Sequence, residues 1–407
     1  MIRLLCYLLC VLSLTLTRGA IAQDVPSDPV PTILISIDGF RPDYLERGVT
    51  PYLNALAARG VHGVLKPSFP TKTFPNHYAI VTGLRPDRNG IVGNSMIDPR
   101  RPGAVFSLGD ATQSRDPFWW DEAEPIWVSA EKAGIRTATA FWPGSEVSIH
   151  EMRPRDWLRY DRDISNEQRV DHVLDWLRRP SASRPHFITL YFDAVDTAGH
   201  RFGPDSPEVN AAIAEVDTRV GHLVDGLRQM DRAVNFVIVS DHGMAETDEA
   251  KAIQLDDLID RESYIAVETG PYAAIEPAAG TDRRVYDALL KPHDHMACYE
   301  REKFPPEFHY GKNPRVAAII CLAEPGWVIL SGPSPYPLSP GGAHGWSNAM
   351  PEMRALFIAS GPSIRKGIDI GLMDNIEVYP LLGKLIALHD DMNADATGKM
   401  AEKIVVK

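Results

Sequence analysis

Three apolar runs in this 407-residue chain end on carboxylates and imidazoles, the side chains that hold divalent cations. Asp38 follows Ile33 to Ile37 and precedes Gly39. Asp193 and Asp196 follow Ile188 to Phe192, with His200 four residues beyond Asp196. Asp241 and His242 follow Val237 to Ser240 and precede Gly243. His344 lies in G-G-A-H-G-W, where glycines permit unusual backbone angles and close approach. Any one of these aspartates could instead cap a helix. As a set, their oxygen and nitrogen donors suit two borderline cations such as zinc. The spacing of Asp196 and His200 lets both reach one ion. Asp241 and His242 are adjacent and usually point apart in an extended strand, so they fit one ion best if the chain turns at Gly243.

A nucleophile is also visible, in S-F-P-T-K-T-F-P-N-H-Y from Ser68 to Tyr78. The segment ends in a helical pattern and Pro75 suits a first turn. Thr73 then sits at a helix N-terminus, where N–H groups and the dipole favour an anion. Its hydroxyl is unreactive at its free pKa, and a bound cation would depress that pKa. Capping of the helix by Thr73 is the competing reading. Lys72 offers charge to an anionic substrate or is a solvated lysine. His77, on the same helix, supports the nucleophile by packing or hydrogen bonding rather than acting as a base. His293 and His295 in P-H-D-H look like a metal pair, although a lid or pocket-wall role suits them better. Phe118-Trp119-Trp120 reads as core or a loop anchor, with a binding face as the alternative.

The elements that must position these groups alternate. Thr32 to Ile37, Thr137 to Phe141, Phe187 to Phe192, Phe236 to Ser240 and Leu356 to Ala359 are continuous apolar runs, as strands buried on both faces are. Helical periodicity covers Pro51 to Arg59, Pro75 to Thr82, Ile126 to Ala133, Gln168 to Arg178 and Ser206 to Met230. The expected fold class is α/β: a central, mostly parallel sheet with helices on both faces, whose ligands gather at the carboxyl edge of the strands. Residues 251–335 break the rhythm and read as a small inserted lid or cap subdomain. The core then comprises 23–250 and 336–407.

Composition bounds the function. With 44% apolar and 24% charged residues the chain is globular, which excludes disorder, collagen and coiled coil. The one long apolar run, Leu4 to Leu16, follows Arg3 and precedes Ala20-Ile21-Ala22, so residues 1–22 read as a signal peptide, with an uncleaved anchor as the alternative. No membrane span is expected after its removal, and the domain is exported, periplasmic or secreted. The lack of an N-x-Ser/Thr motif leans towards a periplasm. The net charge of −12 becomes −14 once Arg3 and Arg18 leave with the signal, and such an acidic shell disfavours stable nucleic-acid binding. A phosphate-bearing substrate would then need metal ions or a basic pocket. Cys298 and Cys321 could pair in an oxidising compartment or remain two buried thiols.

P-T-K-T-F-P-N-H-Y, V-T-G-L-R-P, G-I-V-G-N, F-W-P-G-S-E, D-T-A-G-H, S-D-H-G-M and G-A-H-G-W occur in order from about Ile33 to Pro362. Together they resemble the nucleotide pyrophosphatase/phosphodiesterase family of the alkaline phosphatase superfamily. The resemblance implies an alkaline-phosphatase-like sandwich and two zinc ions. Asp196, His200 and His344 would hold one. Asp38, Asp241 and His242, with the Thr73 oxygen, would hold the other. It implies that Asn94 donates to a phosphoryl oxygen and that Phe74 and Tyr160 clasp a base. The implied activity is hydrolysis of a nucleotide at the α-phosphate, for example ATP to AMP and pyrophosphate, through a nucleotidyl-threonine; a monomer is expected. A choline-phosphate lipid phosphodiesterase with the same site is the alternative, and a silent metal-binding sensor is a further one.

Overall fold

The computed structural model describes residues 30–334, 337–388 and 394–406. The expected signal segment 1–22 and the expected boundary at 335/336 lie outside them. Among the described residues no helix is long and apolar enough to cross a membrane.

The central sheet contains β1 (Thr32–Ile37), β2 (Val61–Lys66), β3 (Thr137–Ala140), β4 (Asp156–Leu158), β5 (Phe187–Phe192), β6 (Asn235–Val239), β7 (Ala355–Ser360) and β8 (Ile368–Asp374). Their spatial order is β8-β2-β7-β6-β1-β5-β3-β4. Strand β7 pairs antiparallel with both β6 and β2, while the other pairs are parallel. The mostly parallel sheet expected from the sequence is therefore present. The sequence patterns had not signalled β2, β4 or β8. Strand β8 is half exposed along its length, and β2 carries His62 and Gly63 in place of an unbroken apolar run.

Alternation along the strands divides the core between the two faces. Ile33, Ile35 and Ile37 of β1 pack with Leu53 and Leu56 of α1 (Pro51–Arg59) and with α3 (Asn166–Arg178) and α5 (Pro207–Gln229). Leu34, Val237 and Val239 face the other way, towards Tyr78, Ile80 and Val81 of α2 (Thr73–Thr82) and towards Trp119 and Trp127. Each such buried side chain contributes roughly 1.5–3 kcal/mol of hydrophobic stabilisation. Helix α3 opens on a capping box of Ser165 and Gln168, and α5 on the Ser206 hydroxyl.

Residues 264–323 build a second, antiparallel sheet in the order Tyr264–Glu268, Tyr272–Pro277, Ile319–Ala323, Met296–Glu300. Cys298 and Cys321 lie directly opposite on neighbouring strands and are disulfide-bonded. This sheet meets the core through an aromatic cluster. Phe69, just ahead of the Thr73 helix, lies within 5.6 Å of the Tyr272, Phe304, Phe308 and Tyr310 rings, centroid to centroid.

Candidate active site

Parallel register fixes the first ligands. Ile37 pairs with Phe192, and Ser36 with Val239, so β1, β5 and β6 end together and deliver Asp38, Asp193 and Asp241 to one edge. Helix α4 (Ala194–Phe202) starts at once, and the four-residue spacing puts Asp196 and His200 on one face, His200 Nε2 3.5 Å from Asp196 Oδ1. Gly39 has φ +69° and a Cβ there would lie 3.0 Å from the Asp196 Cα, so glycine is needed for α4 to approach Asp38. At Gly243 a Cβ would meet the Glu352 carbonyl at 2.0 Å. His344 arrives on the loop after Gly342–Ala343, which pairs with Ala245–Glu246.

These residues meet in one cluster. His242 Nε2 lies 3.0 Å from Asp241 Oδ2 and 3.4 Å from Asp38 Oδ1. Thr73 Oγ1 lies 3.3 Å from the same nitrogen. His344 Nε2 is 3.7 Å from Asp196 Oδ1, and the His242 and His344 rings stack at 3.5 Å. Ligand atoms of Asp196, His242 and His344 lie within 4.8 Å of one another, as do those of Asp38, His77 and Asp241. His242 thus stands between the two expected ligand sets, and the seven groups form one continuous centre.

Two observations show that this centre suits cations. First, His200, His242 and His344 each direct Nδ1 at a backbone carbonyl, of Gly342, Gly243 and Thr71, at 2.8, 2.9 and 2.8 Å. A carbonyl only accepts, so Nδ1 carries the proton and Nε2 presents its lone pair inward, as metal-binding histidines do. Second, Asp38 Oδ1, Asp196 Oδ1 and Asp241 Oδ2 are buried with no hydrogen-bond partner. Buried carboxylate oxygens are costly without compensation, and these three face the imidazoles.

Burial opposes a charge on the His242 ring, but Asp241 outweighs it and holds the ring above its ordinary range. Burial, followed by repulsion from Asp241 and Asp196, pushes the Asp38 carboxyl well above its ordinary range. Asp241 lies well below that range: burial opposes ionisation there, but His242 and His77 outweigh it. Burial, then His242, Lys72 and His200, drives His344 far down, so its ring is neutral, the form that binds metal.

Helix α2 begins at Thr73 as the sequence predicts. His77 donates Nδ1–H to the Thr73 carbonyl at 2.9 Å, shares a 2.8 Å bond through Nε2 with Ser36 Oγ, and lies 3.3 Å from Asp241 Oδ2. Both ring nitrogens are engaged, so it supports the centre, as expected. Asn94 Oδ1 accepts the Phe74 N–H at 2.9 Å, which leaves its Nδ2 as the free donor. Phe74 packs beside Phe106 and Trp120, at 5.9 Å each. Tyr160 donates to Asp193 Oδ2 at 2.8 Å, and Arg169 holds Asp193 Oδ1 at 2.8 Å. Asp193 therefore turns away from the cluster. Trp119 and Trp120 are fully buried core. His293 bonds the Ala288 carbonyl, and His295 pairs with Glu324 while stacking on Trp327; neither joins the centre.

Sequence reasoning missed three supports. Tyr191 donates to Asp38 Oδ2 at 2.6 Å, Glu268 accepts the Ser95 N–H at 2.8 Å, and buried Arg315 bonds Asp98 at 2.8 Å. Tyr191 could be placed by strand alternation. The other two depend on long-range packing that no local pattern encodes.

The model of the type I phosphodiesterase / nucleotide pyrophosphatase family matches residues 32–347. An uncharacterised pyrophosphatase/phosphodiesterase of Schizosaccharomyces pombe is 40% identical over 372 residues, covering 88% of this chain and 76% of its own. The Xenopus laevis bis(5′-adenosyl)-triphosphatase enpp4 is 38% identical over 385 residues, 93% of this chain and 82% of its own. Human ectonucleotide pyrophosphatase/phosphodiesterase 5 superposes with a TM-score of 0.88 at 35% identity, over 93% of this chain and 100% of that one. Its murine counterpart, an inactive threonine-to-alanine form in complex with AMP, gives 0.87 at 35% identity over the same shares. The chain therefore belongs to the type I phosphodiesterase / nucleotide pyrophosphatase family, enzymes with an alkaline-phosphatase-like fold and a divalent-metal requirement.

Proposed function

We propose that this enzyme hydrolyses nucleotides at the α-phosphate, releasing a nucleoside monophosphate, through a covalent nucleotidyl-Thr73 at a two-zinc centre. The observation that carries the reading is the convergence of three inward imidazole lone pairs and three unpartnered carboxylate oxygens around the Thr73 hydroxyl. Asp196, His200 and His344 would hold one ion, and Asp38, Asp241, His242 and Thr73 the other. Bound there, the cations supply the positive charge that lowers the pKa of the hydroxyl and offsets charge on phosphoryl oxygens.

The chain's own groups do the rest. Helix α2 aims Thr73 Oγ1 from its first residue. The oxygen attacks phosphorus, the bond to the leaving group breaks, and a threonyl ester forms. Water then attacks phosphorus from the vacated side, breaking the bond to Oγ1, so configuration is retained overall. Asn94 Nδ2 donates where negative charge accumulates, worth about 2.7–4 kcal/mol for a typical group of this kind. Phe74 and Tyr160 offer aromatic surface to the base. Two relatives support the substrate class: one is named for a diadenosine triphosphate, and the other is inactive as a threonine-to-alanine form and binds AMP. The Cys298–Cys321 disulfide suits an exported, oxidising location.

Thr73→Ala tests the covalent route. Elemental analysis should find metal retained, while hydrolysis of p-nitrophenyl thymidine monophosphate falls by about three orders of magnitude or more, because the nucleophile is lost. Near-normal turnover would overturn the mechanism. Wild-type protein should turn over that substrate faster than p-nitrophenyl phosphorylcholine, and the reverse ranking would move the assignment to choline-phosphate lipids.

A further inference from the structure

The inserted region makes a series of polar links to the turn that carries Asn94. Arg315 Nη1 donates to the Gly90 carbonyl at 2.9 Å and its Nε to Asp98 Oδ2 at 2.8 Å. The Tyr310 hydroxyl donates to the Val92 carbonyl at 2.7 Å. Glu268 reaches the turn itself, where Oε2 accepts the Ser95 N–H at 2.8 Å. A Cβ on Gly93 would lie 3.3 Å from the Tyr272 hydroxyl and 3.4 Å from Glu268 Oε2, so the turn is pressed against this sheet.

The other oxygen of Glu268 faces the nucleophile helix. Oε1 is 3.7 Å from Lys72 Nζ, both side chains are 10% exposed, and Lys72 is the residue before Thr73. One carboxylate therefore links the Lys72 ammonium at the start of α2 to the main chain of the Asn94 turn. Hydrogen bonds to an ionised acceptor are about twice as strong as neutral ones, and a pair this sheltered is little screened by salt.

We propose that Glu268 is a positioning residue of the hydrolysis: it holds the Asn94 turn against the Lys72–Thr73 segment so that Asn94 Nδ2 meets the charge developing on the phosphoryl oxygen. The inference rests on the role given to Asn94 above. It predicts a loss in kcat without a rise in KM, since Glu268 acts through a donor used in the transition state and its removal frees the Lys72 ammonium for the anionic substrate.

The test is a double-mutant cycle in the metal-loaded full chain with p-nitrophenyl thymidine monophosphate. Asn94→Ala should lower kcat about 100-fold. Glu268→Ala should lower kcat about 10- to 100-fold, with KM unchanged or lower. Glu268→Gln should fall between Glu268→Ala and wild type, because its amide oxygen still accepts the Ser95 N–H. The double variant should match Asn94→Ala within about threefold, because two groups acting as a unit are non-additive. A Glu268→Ala loss that multiplies with that of Asn94→Ala, a rise in KM instead of a fall in kcat, or kcat within about twofold of wild type overturns the inference alone. If Glu268→Ala does not fold, Glu268→Gln at wild-type kcat has the same force. Wild-type kcat in Asn94→Ala removes the role of Asn94 and this inference with it.

Discussion

Two groups of histidines in this chain have the same side chain and opposite fates. His293 and His295, two residues apart in P-H-D-H, look like a metal pair by spacing alone, although a lid or pocket-wall role suits them better. Yet His293 spends Nε2 on the Ala288 carbonyl, and His295 gives Nδ1 to Glu324 at an exposed edge, its ring flat on Trp327. His200, His242 and His344 are 42 and 102 residues apart, yet each fixes Nδ1 on a main-chain carbonyl and turns Nε2 towards unpartnered carboxylates. Metal competence lies in how Nδ1 is held and what Nε2 faces, not in sequence spacing.

Removing the cations should separate the two groups most strongly. Chelation should take hydrolysis to background and lower the melting temperature, since it leaves Asp38, Asp196 and Asp241 facing one another in the interior. A cation present at 100 times its Kd stabilises the fold by about 2.7 kcal/mol. Readdition of zinc should restore both, and a chelated protein that melts as before would erase the contrast. His77→Ala should act at an intermediate level. It removes the ring that lies against Asp241 Oδ2 and the donor to the Thr73 carbonyl, so metal affinity measured against a competing chelator should weaken about 10- to 100-fold. His293→Ala and His295→Ala should do least, with kcat/KM within about twofold and stability changed by no more than about 1 kcal/mol. A large loss of bound metal in either would place them in a site after all.

The sequence made the ligand-bearing half of the molecule legible because that half obeys local rules. The largely apolar strands β1, β5 and β6 announce burial on both faces, and β1 and β6 lead into Asp38 and Asp241 of the centre. Thr73 and Pro75 mark the helix that aims the nucleophile. Strand β8, with its alternating polar residues, and β2, broken by Gly63, take their conformation from neighbours rather than from their own composition. The clearest failure of local reading is Glu268. Its neighbours Ser95 and Lys72 are 173 and 196 residues away, and nothing in V-E-T-G-P foretells them. The grouping of ligands was also only partly visible. The motifs separate two sets of three, whereas His242 stacks on His344 and joins them into one centre.

The carbonyls that steer the three imidazoles have an evolutionary implication. They belong to Thr71, Gly243 and Gly342, and every residue type carries the same peptide oxygen. No codon change at those positions deletes an acceptor; it can only shift the chain that bears it. Orientation of the imidazoles is thereby sheltered from side-chain drift, and damage to it must come from mutations that bend the backbone, such as a bulkier residue at Gly243, where a Cβ would strike the Glu352 carbonyl.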